Sequence, residues 1–216
     1  ISRRFNGCDC NMKLIYTPID IPCKLPDEEK ILNWFHNNHL IDTDYWEYSS
    51  GRHQWAMTST SKEPVDWRRY DKEMWDNRRV EQDITPEIHI NPSFETEFPE
   101  IAIVLRQLPF KQLTVTGLLY QIGDIPLHND TYDTREPTEP RRYTIYLTNP
   151  DYCTFYFDIN GERVIPKINP DYCCFAFNNN DVQHGAFKMD REKIILTCAG
   201  IIDNDKHNEL LSRSIE

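Results

Sequence analysis

His128-Asn129-Asp130 sets an imidazole and a carboxylate two residues apart, and a further imidazole, His184, follows later in the chain. Residues two apart on an extended segment project to the same side, so His128 and Asp130 can both reach one metal ion while His184 arrives from another strand. Two imidazole nitrogens and one carboxylate oxygen cap one face of an Fe(II) octahedron and leave three positions for a chelating co-substrate and dioxygen. No side chain then has to act as a nucleophile. With seven histidines and 35 acidic residues, a lone His-x-Asp is common and reads as a surface turn. The remaining histidines, His36, His39, His53, His89 and His207, have no matching carboxylate in a β context and read as helix-surface or packing residues.

The elements that must position these side chains are mostly strands. Short β-branched and aromatic runs occupy 112–121, 142–148, 154–157, 163–165, 173–177 and 193–201. Turn chemistry separates them: Gly123-Asp124, Asn149-Pro150, Asn160-Gly161, Asn169-Pro170 and Asn178-Asn179-Asn180. Such strands without intervening helices predict a β-sandwich or barrel, and Asn160-Gly161 predicts a tight hairpin. Asp27 caps a helix through Ile31, Leu32 and Phe35 to about Asn38, with Pro26 just outside. A second helix starts after Pro99, turns Ile101, Val104, Leu105 and Leu108 inward and stops at Pro109. A third is expected near 205–211. All five tryptophans lie before residue 76, and 42–91 reads as irregular strands and long loops. The expected fold is mainly β with flanking helices, a jelly roll with helices packed on one side. Residues 1–11 read as a flexible tail and 12–216 as one domain.

The order strand, His-x-Asp, further strands, His184, then Lys193 opening an apolar strand resembles the Fe(II)/2-oxoglutarate-dependent dioxygenases, in their prolyl-hydroxylase-like branch. The residues that carry the resemblance are Leu119-Tyr120-Gln121, Pro126-Leu127-His128-Asn129-Asp130, Tyr143 to Thr148, and His184-Gly185-Ala186 through Lys193 to Thr197. The match covers about 112–201, the catalytic double-stranded β-helix of that cupin-like family, and leaves the first hundred residues unmatched. It implies His128, Asp130 and His184 as iron ligands, Lys193 as the cation that receives the far carboxylate of 2-oxoglutarate, Tyr146 as its hydroxyl partner, and Tyr120 as a second tyrosine lining that pocket. The commoner anchor is Arg, and Arg191 has the same strand parity as Lys193. Tyr146 and Tyr120 read equally well as aromatic wall residues of a β core. The implied reaction hydroxylates a C–H bond of a peptidyl proline, another residue or a small metabolite, releasing succinate and carbon dioxide. The segment 67–79 and the loop 132–142 are the candidates for a lid and a substrate-facing wall, while most of the tryptophans read as a cover on the β-helix.

A net charge of −11 disfavours nucleic acid and anionic lipid as partners. The apolar runs are far shorter than a bilayer span, and the start is too charged for a signal peptide, so a cytoplasmic protein is expected. Seven cysteines without paired CxxC spacing read as free thiols. The competing class is a cupin-like metal-binding module without turnover, distinguished from an enzyme by the Lys193 and Tyr146 pair.

Overall fold

The computed structural model describes residues 16–21, 26–38, 52–56, 58–59, 89–121, 123–129, 142–149, 153–166, 174–177, 182–188 and 190–215. Among these the chain runs β1 (Tyr16–Pro18), α1 (Glu28–Asn38), β2 (Arg52–Ala56), β3 (Thr58–Ser59), β4 (His89–Ile90), α2 (Pro92–Glu97), α3 (Pro99–Gln107) and β5 (Phe110–Gln121). It continues with β6 (Ile125–His128), β7 (Arg142–Tyr146), β8 (Phe155–Ile159), β9 (Glu162–Val164), β10 (Cys174–Phe177), β11 (His184–Ala186), β12 (Lys193–Ile202) and α4 (Asn204–Ile215).

The strands form a six-stranded sheet in the order β1-β10-β7-β12-β5-β2, a four-stranded sheet in the order β6-β11-β8-β9, and a short β3-β4 pair. Every pairing among the described residues is antiparallel. Among the described residues no crossover helix separates these strands from 110 onward, as the sequence predicts. The sheet reaches further into the first half than the sequence suggests, because β1 and β2 add its two edges. The tail at 1–11 and Trp46, Trp67 and Trp75 lie outside the described residues.

Strand alternation sends the two faces of the large sheet into different cores. On β12, Ile194, Leu196 and Cys198 join Tyr143, Ile145, Leu118 and Cys174 beneath Ile31 and Phe35 of α1, Phe94 of α2 and Ile101, Val104 and Leu105 of α3. The opposite parity puts Ile195 with Leu119, Tyr146, Phe175 and Phe177 against Phe155 and Phe157 of the small sheet. The rings of Phe155, Phe157, Phe175 and Phe177 meet with centroids 5.2–6.4 Å apart, which bonds the two sheets face to face. Full burial of one such ring contributes on the order of 1.5–3 kcal/mol.

The helices begin where local chemistry starts them. Asp27 Oδ1 accepts from Glu29 N at 2.8 Å, and Asn91 Oδ1 accepts from Ser93 N at 3.0 Å with Pro92 following. Helix α2 has too few turns to carry an apolar period. Its Asn-Pro start is therefore its one legible signal. Helix α4 docks through His207, whose Nδ1 lies 2.6 Å from the Tyr143 hydroxyl inside the helix-side core. Asn160 and Gly161 both have positive φ, 56° and 82°, which is the two-residue turn that matches strand twist and joins β8 to β9.

Burial pushes the Tyr143 phenol above its ordinary 10.0 and the Tyr146 phenol well above it. Folding thus favours the protonated form of both. Their contribution is intact below pH ~10 and is lost as pH rises further, because the unfolded chain releases protons the folded chain retains. Stability, read as the urea midpoint between pH 8 and 11.5, should fall above pH ~10 by up to about 1.4 kcal/mol per pH unit for each phenol. Replacing both tyrosines with phenylalanine should flatten that fall; a wild type with a level profile would contradict the burial argument.

Candidate metal and acid-binding site

His128 is the last residue of β6 and His184 the first of β11, and the antiparallel register pairs them directly. Their ring centroids stand 4.5 Å apart at an interplanar angle of 53°. Each ring is oriented by the same local device. His128 Nδ1 lies 2.8 Å from the Pro126 carbonyl oxygen, and His184 Nδ1 lies 3.1 Å from the Val182 carbonyl oxygen. A carbonyl only accepts, so Nδ1 donates in both, and Nε2 becomes the nitrogen that carries the lone pair. This is the tautomer in which an imidazole binds a metal through Nε2 while a backbone carbonyl fixes its direction.

His184 is 4% exposed and is wedged between the Phe155 ring, stacked at 5.4 Å, and the Phe177 ring at 5.1 Å. The two histidines sit close because Gly185 lets β6, β11 and Tyr156 pack together. A methyl group there would stand 2.7 Å from the Ile125 carbonyl oxygen and 2.7 Å from the Tyr156 hydroxyl. Gly185→Ala is expected to destabilise the fold by about 1–3 kcal/mol and to push β6 away from β11, since backbone cannot yield as a flexible side chain can. Thermal unfolding would check this; an unchanged midpoint would mean that the strands have slack.

Asp130 lies outside the described residues, as does the loop 132–141. Among the described residues no three His, Cys, Asp or Glu side chains gather around one ion-sized point.

Lys193, the first residue of β12, is 1% exposed and shares strand parity with Ile195 of the inter-sheet core. Its Nζ donates to Thr154 Oγ1 at 3.3 Å. Tyr146, opposite Ile195 in the register, is also 1% exposed, and its hydroxyl lies 3.1 Å from Cys153 Sγ. Burial pushes the Cys153 thiol up, opposed by hydrogen bonds with Tyr146 and with the Phe155 backbone and by the Lys193 charge. Lysine, tyrosine, cysteine and threonine thus form one polar cluster at the edge of an aromatic core. Arg191 is exposed and stands two residues before β12 begins. Tyr120 lies on β5 opposite Ile194, with its side chain outside the described residues. Cys153 and Thr154 were not legible as site residues, since strand propensity marks Thr154 only as β and nothing marks Cys153.

Of the other histidines, His36 Nε2 lies 2.6 Å from Glu192 Oε1 on the surface, and His207 is buried beneath α4. His53 and His89 occupy β2 and β4, and His39 is outside the described residues. Among the described residues, Cys153, Cys174 and Cys198 form no disulfide. No helix among the described residues is long and apolar enough to cross a membrane.

No family model matches the chain, and no curated protein matches it. Among solved structures it is similar to a Pseudomonas putida prolyl-4-hydroxylase, at 10% sequence identity and a TM-score of 0.41 over 86% of this chain and 91% of that one.

Proposed function

We propose that this chain is an Fe(II)- and 2-oxoglutarate-dependent oxygenase that hydroxylates a C–H bond, with His128, Asp130 and His184 as the iron ligands and a double-stranded β-helix as its core. The observation that carries the reading is the His128 and His184 pair, set side by side by strand register with both Nδ1 atoms bonded to backbone carbonyls. That donor set fits a divalent first-row metal: two neutral imidazoles presented through Nε2, with a carboxylate one residue beyond Asn129 in the sequence.

The metal and co-substrate, when bound, would supply the chemistry: dioxygen is the oxidant, 2-oxoglutarate gives up two electrons in becoming succinate and carbon dioxide, and one oxygen atom enters the substrate C–H bond. The chain's own residues bind and orient. Lys193, inside the sandwich, offers an ammonium in a low-dielectric wall, where a charge-assisted bond to a carboxylate gains strength. Tyr146 supplies a neutral hydroxyl in the same polar cluster, through Cys153. Phe155, Phe175 and Phe177 exclude water between the imidazole end and the ammonium end. The substrate favoured is a peptidyl proline or another amino-acid residue, met by the segments 67–79 and 132–142.

An anaerobic Fe(II) titration followed by an assay of carbon dioxide released from labelled 2-oxoglutarate tests the reading. One equivalent of Fe(II) should bind and support decarboxylation. Tight metal binding with no decarboxylation across a panel of peptides and amino acids would instead favour a cupin-like metal-binding module.

A further inference from the structure

Three consecutive residues leading into β8 touch three groups from elsewhere in the fold. Cys153 Sγ lies 3.1 Å from the Tyr146 hydroxyl, Thr154 Oγ1 accepts from Lys193 Nζ at 3.3 Å, and the Phe155 ring stacks on His184 with centroids 5.4 Å apart. We infer that Cys153 is a positioning residue: its thiol aims the Tyr146 hydroxyl so that phenol and Lys193 ammonium together receive one carboxylate of a bound dicarboxylic acid. This rests on the proposed reading of the Lys193 end as the co-substrate pocket, and adds to it the residue that sets the pocket's geometry.

The argument is one of protons. A phenol and a thiol carry two, and the bond between them uses one. Burial raises both groups, so both remain protonated at neutral pH. The thiol also lies 3.9 Å from the Phe155 carbonyl oxygen, to which it donates when the phenol donates to sulfur; with the thiol proton turned to the phenol oxygen instead, the phenol O–H turns outward and can donate to a carboxylate oxygen. A neutral pair beside an ammonium attracts an anion, whereas a thiolate in the same place would repel it. Thr154 does the equivalent for Lys193, its hydroxyl accepting one ammonium N–H at 3.3 Å and so fixing the rotation of the group. Because Cys153 and Thr154 are adjacent in the chain, the two alignments are coupled.

The test is equilibrium dialysis of labelled 2-oxoglutarate against the full chain carrying Zn(II), which permits no turnover. Cys153→Ala should weaken binding about 5- to 10-fold, the usual effect of losing one hydrogen bond. Cys153→Ser, which keeps a donor and an acceptor, should stay within about 2-fold. In a Tyr146→Phe background, Cys153→Ala should cause no further loss, because the residue acts through a hydroxyl no longer there. Cys153→Val fills the space without polarity and should behave as Cys153→Ala does, which protects the test should the smaller side chain impair folding. Equal losses in both backgrounds, or wild-type affinity in Cys153→Ala and Cys153→Val, would overturn the inference while leaving the co-substrate reading intact. Retention of succinate but not 2-oxoglutarate, with the same dependence on Cys153 and Tyr146, would uphold the positioning role and overturn the co-substrate reading. Retention of neither acid would overturn both.

Discussion

His128→Ala should abolish turnover, by about 100-fold or more, while the chain stays folded. Loss of a group that merely orients a metal ligand costs about 10- to 100-fold, and loss of the ligand itself costs at least as much. The fold should tolerate the change because His128 ends an edge strand and is only partly buried; deleting its bond to the Pro126 carbonyl costs on the order of 1 kcal/mol. His184→Ala should be equally inactive but less stable. Its ring fills the space between Phe155 and Phe177, so truncation leaves a cavity and adds about 2–4 kcal/mol. Fe(II) binding, decarboxylation and thermal unfolding, measured together, separate the two effects. A folded His128→Ala variant with wild-type turnover would end the metal-ligand assignment.

Lys193→Met should leave iron binding intact and raise the 2-oxoglutarate concentration needed for half-maximal decarboxylation by ~30-fold or more. That corresponds to the about 2–5 kcal/mol lost when one partner of a desolvated charge pair is removed. Methionine suits the test because it matches the length of the lysine stem and replaces a buried cation with an apolar group, a change that folds commonly tolerate. Arg191→Met is the control. Arg191 is exposed ahead of β12, and its replacement should leave the 2-oxoglutarate dependence unchanged. The reverse pattern would move the anchor to Arg191 without touching the enzyme assignment. No effect in either variant would favour the passive metal binder.

Period-two patterning and turn chemistry made much of the sandwich legible. Asn160-Gly161 announced its hairpin because few other pairs accept positive φ at both positions, and the apolar run of β12 announced a strand, which the fold buries on both faces. The strands that carry the histidines were not legible. β6 has only four residues, one of them Pro126, and is tolerated because it lies at a sheet edge; β11 has three and contains Gly185. Neither is long enough to display a period. The side-by-side placement of His128 and His184 is a fact of register between short strands far apart in the chain. The contacts of Cys153 with Tyr146 and of Thr154 with Lys193 are likewise non-local, and no spacing rule encodes them.

β12 belongs to two interiors at once. Lys193 and Ile194 are neighbours in the chain, yet one faces the space between the sheets and the other the space beneath the helices. A slip of one residue in pairing with β5 or β7 would exchange them, driving an ammonium among Ile31, Phe35 and Ile101 and putting a hydrocarbon where an acid is to be received. The helix-side core therefore proofreads the pocket. A chain that folds with the helices correctly seated has already placed its cation, and a chain that misplaces the cation cannot seat its helices.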